Sequence, residues 1–99
     1  MSLLVRYTTK EASDHAHQIA AMETLVAGLV DEGIAGLHYS CFATDEPCEF
    51  IGILEYPDAA TFKAFQASDA FAAYRDRVGP TFANPPQTTQ LTAIASTRG

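Results

Sequence analysis

Glu49-Phe50-Ile51-Gly52-Ile53-Leu54-Glu55-Tyr56-Pro57-Asp58 is the stretch on which the fold turns. Phe50, Gly52, Leu54 and Tyr56 alternate with Ile51 and Ile53, so both faces of an extended chain are apolar until Glu55. A strand apolar on both sides belongs at the centre of a sheet covered above and below. Pro57-Asp58 then breaks the strand, because proline cannot donate to the ladder, and Asp58 is a natural N-cap for a short helix carrying Ala59, Phe62 and Phe65.

Working back towards the N-terminus, Thr44-Asp45-Glu46-Pro47 is a polar turn, centred on Asp45 and Glu46, that joins this strand to an earlier one. That strand runs from about Gly36 to Ala43, with Leu37, Tyr39 and Cys41 on one face and His38, Ser40 and Phe42 on the other. Before it, Ile19, Met22, Val26, Leu29 and Val30 recur at helical spacing from Asp14 to Asp31, leaving Gln18, Glu23, Thr24 and Asp31 off the stripe. Ser13 is the expected N-cap, Asp14 adds charge to the first turn, and Gly33 suits a left-handed stop. Leu3-Leu4-Val5-Arg6-Tyr7-Thr8 reads as the opening strand.

Towards the C-terminus, Ser68-Asp69 starts another helix bearing Phe71, Tyr74 and Val78, and Gly79-Pro80 ends it. Asn84-Pro85-Pro86 forces an extended loop. A last strand is predicted over 87–95, with a polar side that suits a sheet edge, followed by a loose tail at Thr97-Arg98-Gly99.

The order is β-α-β-β-α-β with the second helical region split in two. Right-handed crossovers put both helical layers on one face of a four-stranded antiparallel sheet, with strands one and three at the centre. The other face stays bare, and it carries Ile51 and Ile53 or else Phe50 and Leu54. Burying each large aliphatic side chain is worth roughly 1.5 to 3 kcal/mol, so a second copy is the simplest cover and a homodimer is expected.

Ninety-nine residues with 47% hydrophobic content suffice for one domain over 1–99. Twelve acidic against six basic side chains give a charge of −6, which repels phosphate backbones and anionic lipid heads, so neither nucleic acid nor membrane is an expected partner. The first residues lack the basic-then-apolar order of a secretory leader, and no apolar run approaches a membrane span, so a cytoplasmic protein is expected. Cys41 and Cys48 fall out of register for a disulfide, with Cys41 placed opposite the region of Phe50 and Ile51, and they read as free, half-buried thiols.

The run from Phe50 to Phe62, followed by Phe65-Gln66-Ala67-Ser68-Asp69-Ala70-Phe71, resembles the third strand and second helix of the antibiotic biosynthesis monooxygenase domain family, and Gly33 and the prolines before the last strand fit the same pattern. The resemblance covers almost the whole chain. It implies a ferredoxin-like α+β fold of the dimeric α+β barrel type, with a pocket between sheet and helices for an apolar ring system. It further implies oxidation of a small aromatic or polyketide-like substrate without bound metal, flavin or other cofactor. The chain departs from the family in having Tyr56 where a tryptophan often stands, and Phe65 and Ala70 where histidines are common. The missing helix histidine speaks against the haem degradation of a related branch.

No glycine-rich phosphate loop, Cys-x-x-Cys, His-Glu-x-x-His or nucleophile elbow is present, so any chemistry sits in an unmarked pocket. His38, Ser40 and Phe42 share a strand face that would aim an imidazole, a hydroxyl and a ring into one space. His38 needs no tuning to act as a base near neutral pH, although a lone strand histidine is more often structural. With the family pattern, His38 and Tyr56 become the candidate catalytic pair, removing a proton so that a substrate carbanion meets oxygen. Ser40, Phe42, Phe65, Tyr74 and Arg75 are the candidate substrate contacts. Tyr7, Tyr39, Tyr56 and Tyr74 offer phenols, and Phe62, Phe65, Phe71 and Phe82 an aromatic wall that core packing explains equally well. Arg75 and Arg77 suit an anionic group, with surface pairing to Asp69, Asp76 or Glu55 as the alternative. His15 lies near the helix stripe and His17 in solvent; with His38 they make no metal-ligand spacing. A ligand-holding module and a purely structural dimer remain the competing readings.

Overall fold

The computed structural model describes residues 1–98. Its elements are β1 (Ser2–Thr8), α1 (His15–Glu32), β2 (His38–Ala43), β3 (Glu49–Glu55), α2 (Ala59–Gln66), α3 (Asp69–Val78) and β4 (Gln87–Leu91), with single 3-10 turns at Ala12–Asp14 and Gly79–Thr81. The strands form one antiparallel sheet in the order β2-β3-β1-β4, which puts β1 and β3 at the centre as the sequence predicts. This is the α+β, ferredoxin-like arrangement. No helix among the described residues is long and apolar enough to cross a membrane.

Register decides which side chains meet the helices, because residues directly opposite one another share a face. Leu3, Val5 and Tyr7 of β1 stand opposite Leu54, Gly52 and Phe50 of β3, which in turn stand opposite Tyr39, Cys41 and Ala43 of β2. This set faces the helices. Phe50 is fully buried, and Leu3, Val5, Tyr7, Leu54 and Tyr56 join Ala21, Met22, Leu25 and Leu29 of α1 and Phe65, Tyr74 and Val78 of α2 and α3 in one core. The hairpin between β2 and β3 is shifted by two residues from the register expected for a turn on Asp45-Glu46, so Cys41 pairs with Gly52. The cause is a longer loop, in which Glu49 N–H donates to Glu46 and Cys48 stays outside the strand. A two-residue shift preserves the face, and both thiols are free and half-buried as expected.

Helix α1 departs from its predicted stripe. Gln18, Ala21, Met22, Leu25 and Leu29 are buried, whereas Ile19 is 37% and Val30 73% exposed. The helix is rotated because α3 presses on it from the side: a methyl built on Gly28 would lie 2.8 Å from the Ala70 Cβ. Small residues are needed along that seam. Ser13 does not cap α1. It lies in the preceding 3-10 turn and donates to Glu11, while Asp14 holds the cap position without a side-chain hydrogen bond. The other ends follow the sequence: Gly33 closes α1 at φ 63°, Asp58 Oδ1 accepts from the Thr61 N–H at 2.9 Å, and Ser68 Oγ accepts from the Phe71 N–H at 3.2 Å.

Two strands are shorter than predicted. Gly36 adopts φ 80° in a turn, so β2 begins only at His38. β4 stops at Leu91 instead of Ala95, since its partner β1 begins at Ser2, which pairs with Leu91, and leaves nothing beyond to pair with. The predicted tail ends in Gly99, which lies outside the described residues.

The face away from the helices has an apolar middle. Thr89, Leu4, Ile53 and Ser40 form one row across the sheet and Gln87, Arg6, Ile51 and Phe42 the next. Of the two sets considered for the bare face, the structure selects Ile51 and Ile53. Phe42 is 49% exposed here. Arg6, within the second of these rows, pairs with Glu49 at 3.0 Å, and Glu55 stands opposite His38 at the other end of the face.

Candidate functional site

A cavity of about 570 Å³ lies between the sheet and helices α2 and α3. Leu3, Val5 and Leu54 form its apolar floor, Phe65 and Phe71 its roof, and Phe82 with Pro85 and Pro86 its side wall. The walls follow from the local sequence. Spacings of three residues bring Phe62 and Phe65 to the underside of α2 and Phe71 and Tyr74 to that of α3, and the successive prolines hold the loop after the 79–81 turn extended along the rim. The rings pack on one another: Phe65 and Phe71 centroids are 4.5 Å apart, Tyr39 stacks on Phe65 at 5.6 Å, and Tyr7 stacks on Phe82 at 5.4 Å. Such pairs fix the ring orientations as well as filling space.

Three phenols enter this apolar chamber. Tyr7 Oη and Tyr39 Oη are 2.7 Å apart, and Tyr74, edge-on to the Tyr7 ring, accepts from the buried Gln18 Nε2 at 2.6 Å. Tyr39 reaches inward only because Gly52 leaves a notch in β3; a methyl there would stand 2.6 Å from its hydroxyl oxygen. Burial pushes the Tyr7 phenol up to about 12 and drives those of Tyr39 and Tyr74 higher still, and it raises the Cys41 thiol to about 12. All four groups therefore stay protonated at neutral pH. As donors the phenols are competent; as bases they are not, and Cys41 is a poor nucleophile.

The shifts also carry a stability consequence. The folded chain holds protons that the unfolded chain releases near pH 9 from the thiol and near pH 10 from the phenols, so these groups leave stability nearly untouched below about pH 8 and subtract from it as pH rises through 9 to 12. Tyr7 alone is expected to remove roughly 2 to 3 kcal/mol over that window. Urea unfolding at about pH 8 and about pH 11, with phenolate absorbance followed alongside, checks this; equal stabilities at the two pH values would contradict it.

Of the residues singled out from sequence, Phe65, Tyr74 and Arg75 line the cavity. Arg75 lies over the Phe71 ring, its guanidinium carbon 4.9 Å from the centroid, and among the described residues it forms no ion pair with Asp69, Asp76 or Glu55. His38, Ser40 and Phe42 do share a face, but it is the open one, because Tyr39 follows Leu54 to the helix side. His38 and Ser40 instead border a smaller hollow of about 320 Å³ at the C-terminal end of α1, and Ser40 and Phe42 another of about 680 Å³ beside the β2 edge. Tyr56 is buried against Phe62, ring centroids 5.0 Å apart, and is not among the residues lining the cavity. His15 leans on Phe50 and hydrogen-bonds the Pro47 carbonyl at 2.9 Å, and His17 is exposed. Of the four tyrosines offered as phenols, Tyr7, Tyr39 and Tyr74 line the cavity and Tyr56 does not; the partner that sequence reasoning left out of the site is Gln18. The register through Leu54 was the signal for the tyrosines; a buried glutamine off the apolar stripe gave none.

No protein-family model matches the chain, and no curated protein matches it in sequence. Its three-dimensional fold does match known structures. SnoaB from Streptomyces nogalater, a cofactor-independent oxygenase, superposes with a TM-score of 0.77 at 14% identity over 99% of this chain and 96% of its own. Rv0793 from Mycobacterium tuberculosis gives 0.79 at 14% identity, covering 97% and 96%. An antibiotic biosynthesis monooxygenase structure gives 0.78 at 14% identity, covering 96% and 100%. The chain thus has the fold of antibiotic biosynthesis monooxygenase structures along nearly its whole length.

Proposed function

We propose that this chain works as a cytoplasmic homodimer that admits a small planar aromatic molecule to the cavity between sheet and helices, and that its chemistry is cofactor-independent oxygenation of that molecule. One observation carries the proposal: an apolar chamber large enough for a fused-ring compound, walled by aromatic rings and bearing polar groups at one end. The shared fold with a cofactor-independent oxygenase agrees with it. Phe65 and Tyr74 contact the rings in this reading, and Arg75 at the rim, already stacked on Phe71, meets any carboxylate or enolate edge. The open face of the sheet, with Leu4, Ile51 and Ile53 at its middle, is the dimer interface.

A second reading is a module that holds such a ligand without turning it over. It is favoured by the lining itself, which among the described residues includes no carboxylate and no imidazole. His38 and Tyr56 lie outside the chamber, so proton loss in the oxygenase reading rests on an acidic substrate such as an anthrone. Calorimetry with an anthrone panel, run beside oxygen-electrode measurements, tests both. Binding with oxygen uptake and quinone formation is the expected result; binding without uptake selects the holding module. A panel that neither binds nor raises the unfolding free energy, where roughly 2.7 kcal/mol is expected at about 100 times Kd, overturns both readings.

A further inference from the structure

The proposed function leaves the hydroxyls of Tyr7 and Tyr39 and the thiol of Cys41 without a task, yet the three are connected. Tyr7 Oη and Tyr39 Oη are 2.7 Å apart. The Tyr39 hydroxyl also stands over Gly52, the residue directly opposite Cys41, where it meets the thiol of its own strand. Tyr39 divides two spaces. Tyr7 lines the chamber and not the outer hollow of about 680 Å³ beside the β2 edge, Cys41 lines that hollow and not the chamber, and Tyr39 lines both.

Phenols and thiols are open to one-electron oxidation, and the chain has no tryptophan to compete with them. A phenol gives up an electron readily only when its proton leaves in the same step. Burial keeps these three groups protonated, so each still holds the hydrogen it would pass on. A hydrogen atom handed from one group to the next leaves every site neutral, whereas an electron or a proton moving alone would strand a charge in an apolar interior. We infer that Tyr7, Tyr39 and Cys41 form a relay that carries an oxidising equivalent out of the chamber to a thiol in the outer hollow. The oxidant is an oxygen-centred radical of the bound ring compound. It takes the Tyr7 O–H hydrogen and becomes a closed-shell hydroxyl or hydroperoxide; the Tyr7 phenoxyl then takes the Tyr39 hydrogen, and the Tyr39 phenoxyl takes the Cys41 S–H hydrogen. One bond to hydrogen forms for each that breaks. The Cys41 thiyl recovers its hydrogen from a low-molecular-weight thiol, which leaves as a thiyl radical. The inference rests on the cavity being the ligand site, as proposed above.

Benzophenone tests it, because its light-excited carbonyl takes a hydrogen atom from a phenol and so starts the relay from inside the chamber. Binding to the wild-type chain is measured by calorimetry. The complex is then illuminated without oxygen in the presence of a nitrone spin trap, and the trapped positions are located by mass spectrometry. The adduct is expected on Cys41 and not on Cys48, which lines neither space. It is expected to be lost from Cys41 in a Tyr39→Phe variant, and in Cys41→Ser the phenoxyl absorption is expected to outlast that of the wild type. Bound benzophenone that leaves no adduct on wild-type Cys41, or labels Cys48 equally, overturns the relay with no variant to fold. A Cys41 adduct that survives Tyr39→Phe, or a phenoxyl decay unchanged by Cys41→Ser, overturns it as well, and each of these results leaves the cavity reading intact. If benzophenone does not bind, the cavity reading fails and the relay with it.

Discussion

Replacing Ile53 with lysine is expected to convert the sedimenting species from dimer to monomer. Ile53 sits at the middle of the open sheet face, with Leu4 on one side, Ser40 on the other and Ile51 two positions along the strand. A two-fold interface meets every substitution twice. Losing two buried isoleucines at roughly 1.5 to 3 kcal/mol each raises the dimer dissociation constant by roughly 10² to 10⁴-fold, before the cost of two unpaired ammonium groups is added. Arg6 stands beside Ile51 on the same face, and its pairing with Glu49 means that association covers a paired charge and not a lone one, which lowers the desolvation penalty without removing it. Sedimentation equilibrium over a range of micromolar concentrations decides the matter. A wild-type chain that is already monomeric there, or an Ile53→Lys variant that still dimerises, removes the proposed interface.

The second large effect is expected at Gly52. Alanine at that position drives a methyl into the Tyr39 hydroxyl at 2.6 Å and the ring carbon bearing it at 3.0 Å. Tyr39 has nowhere easy to go, since its ring is stacked on Phe65 and its hydroxyl is bonded to Tyr7. Overpacking plus a broken buried hydrogen bond is expected to cost roughly 2 to 4 kcal/mol. The signature lies in a double-mutant cycle read by urea unfolding: Gly52→Ala costs distinctly less in a Tyr39→Phe background, where the closest atom is absent, although the ring carbon keeps the rescue partial. Equal costs in the two backgrounds would show that the notch does not serve Tyr39.

Much of the architecture could be read in advance because a few residues carry unambiguous local physics. The two-sided apolar run from Phe50 to Tyr56 places β3 inside the sheet, Gly33 marks a left-handed helix end, and Asp58 and Ser68 bind the helix N–H groups their positions suggest. The stripe of α1 was misread for a reason that hydropathy does not encode. Ile19 and Val30 are more apolar than Gln18 and Ala21, but α3 approaches so closely at Gly28 that the helix turns its small residues towards α3 and carries Ile19 and Val30 out of the core. The candidate site was legible by half. Alternation shows that His38, Ser40 and Phe42 share a face and that Leu37, Tyr39 and Cys41 share the opposite one; it does not say which face meets the helices. That is decided across the hairpin, where Tyr39 lies opposite Leu54, and the choice exchanges an imidazole for a phenol in the cavity.

Gln18 bears on what kind of selection has acted on this chain. It is a fully buried carboxamide, one atom of which meets no protein partner while the other holds the Tyr74 hydroxyl in place. An orphaned polar atom of this sort costs roughly 1 to 3 kcal/mol, and methionine or leucine would fill the same space without it. Those side chains would also take the Tyr74 hydroxyl's partner away, so the amide exchanges one orphaned atom for a phenol held in place. Its presence marks a locally uneconomical choice of the kind that accumulates where molecules do work, and it weighs against the view of this protein as an inert dimer.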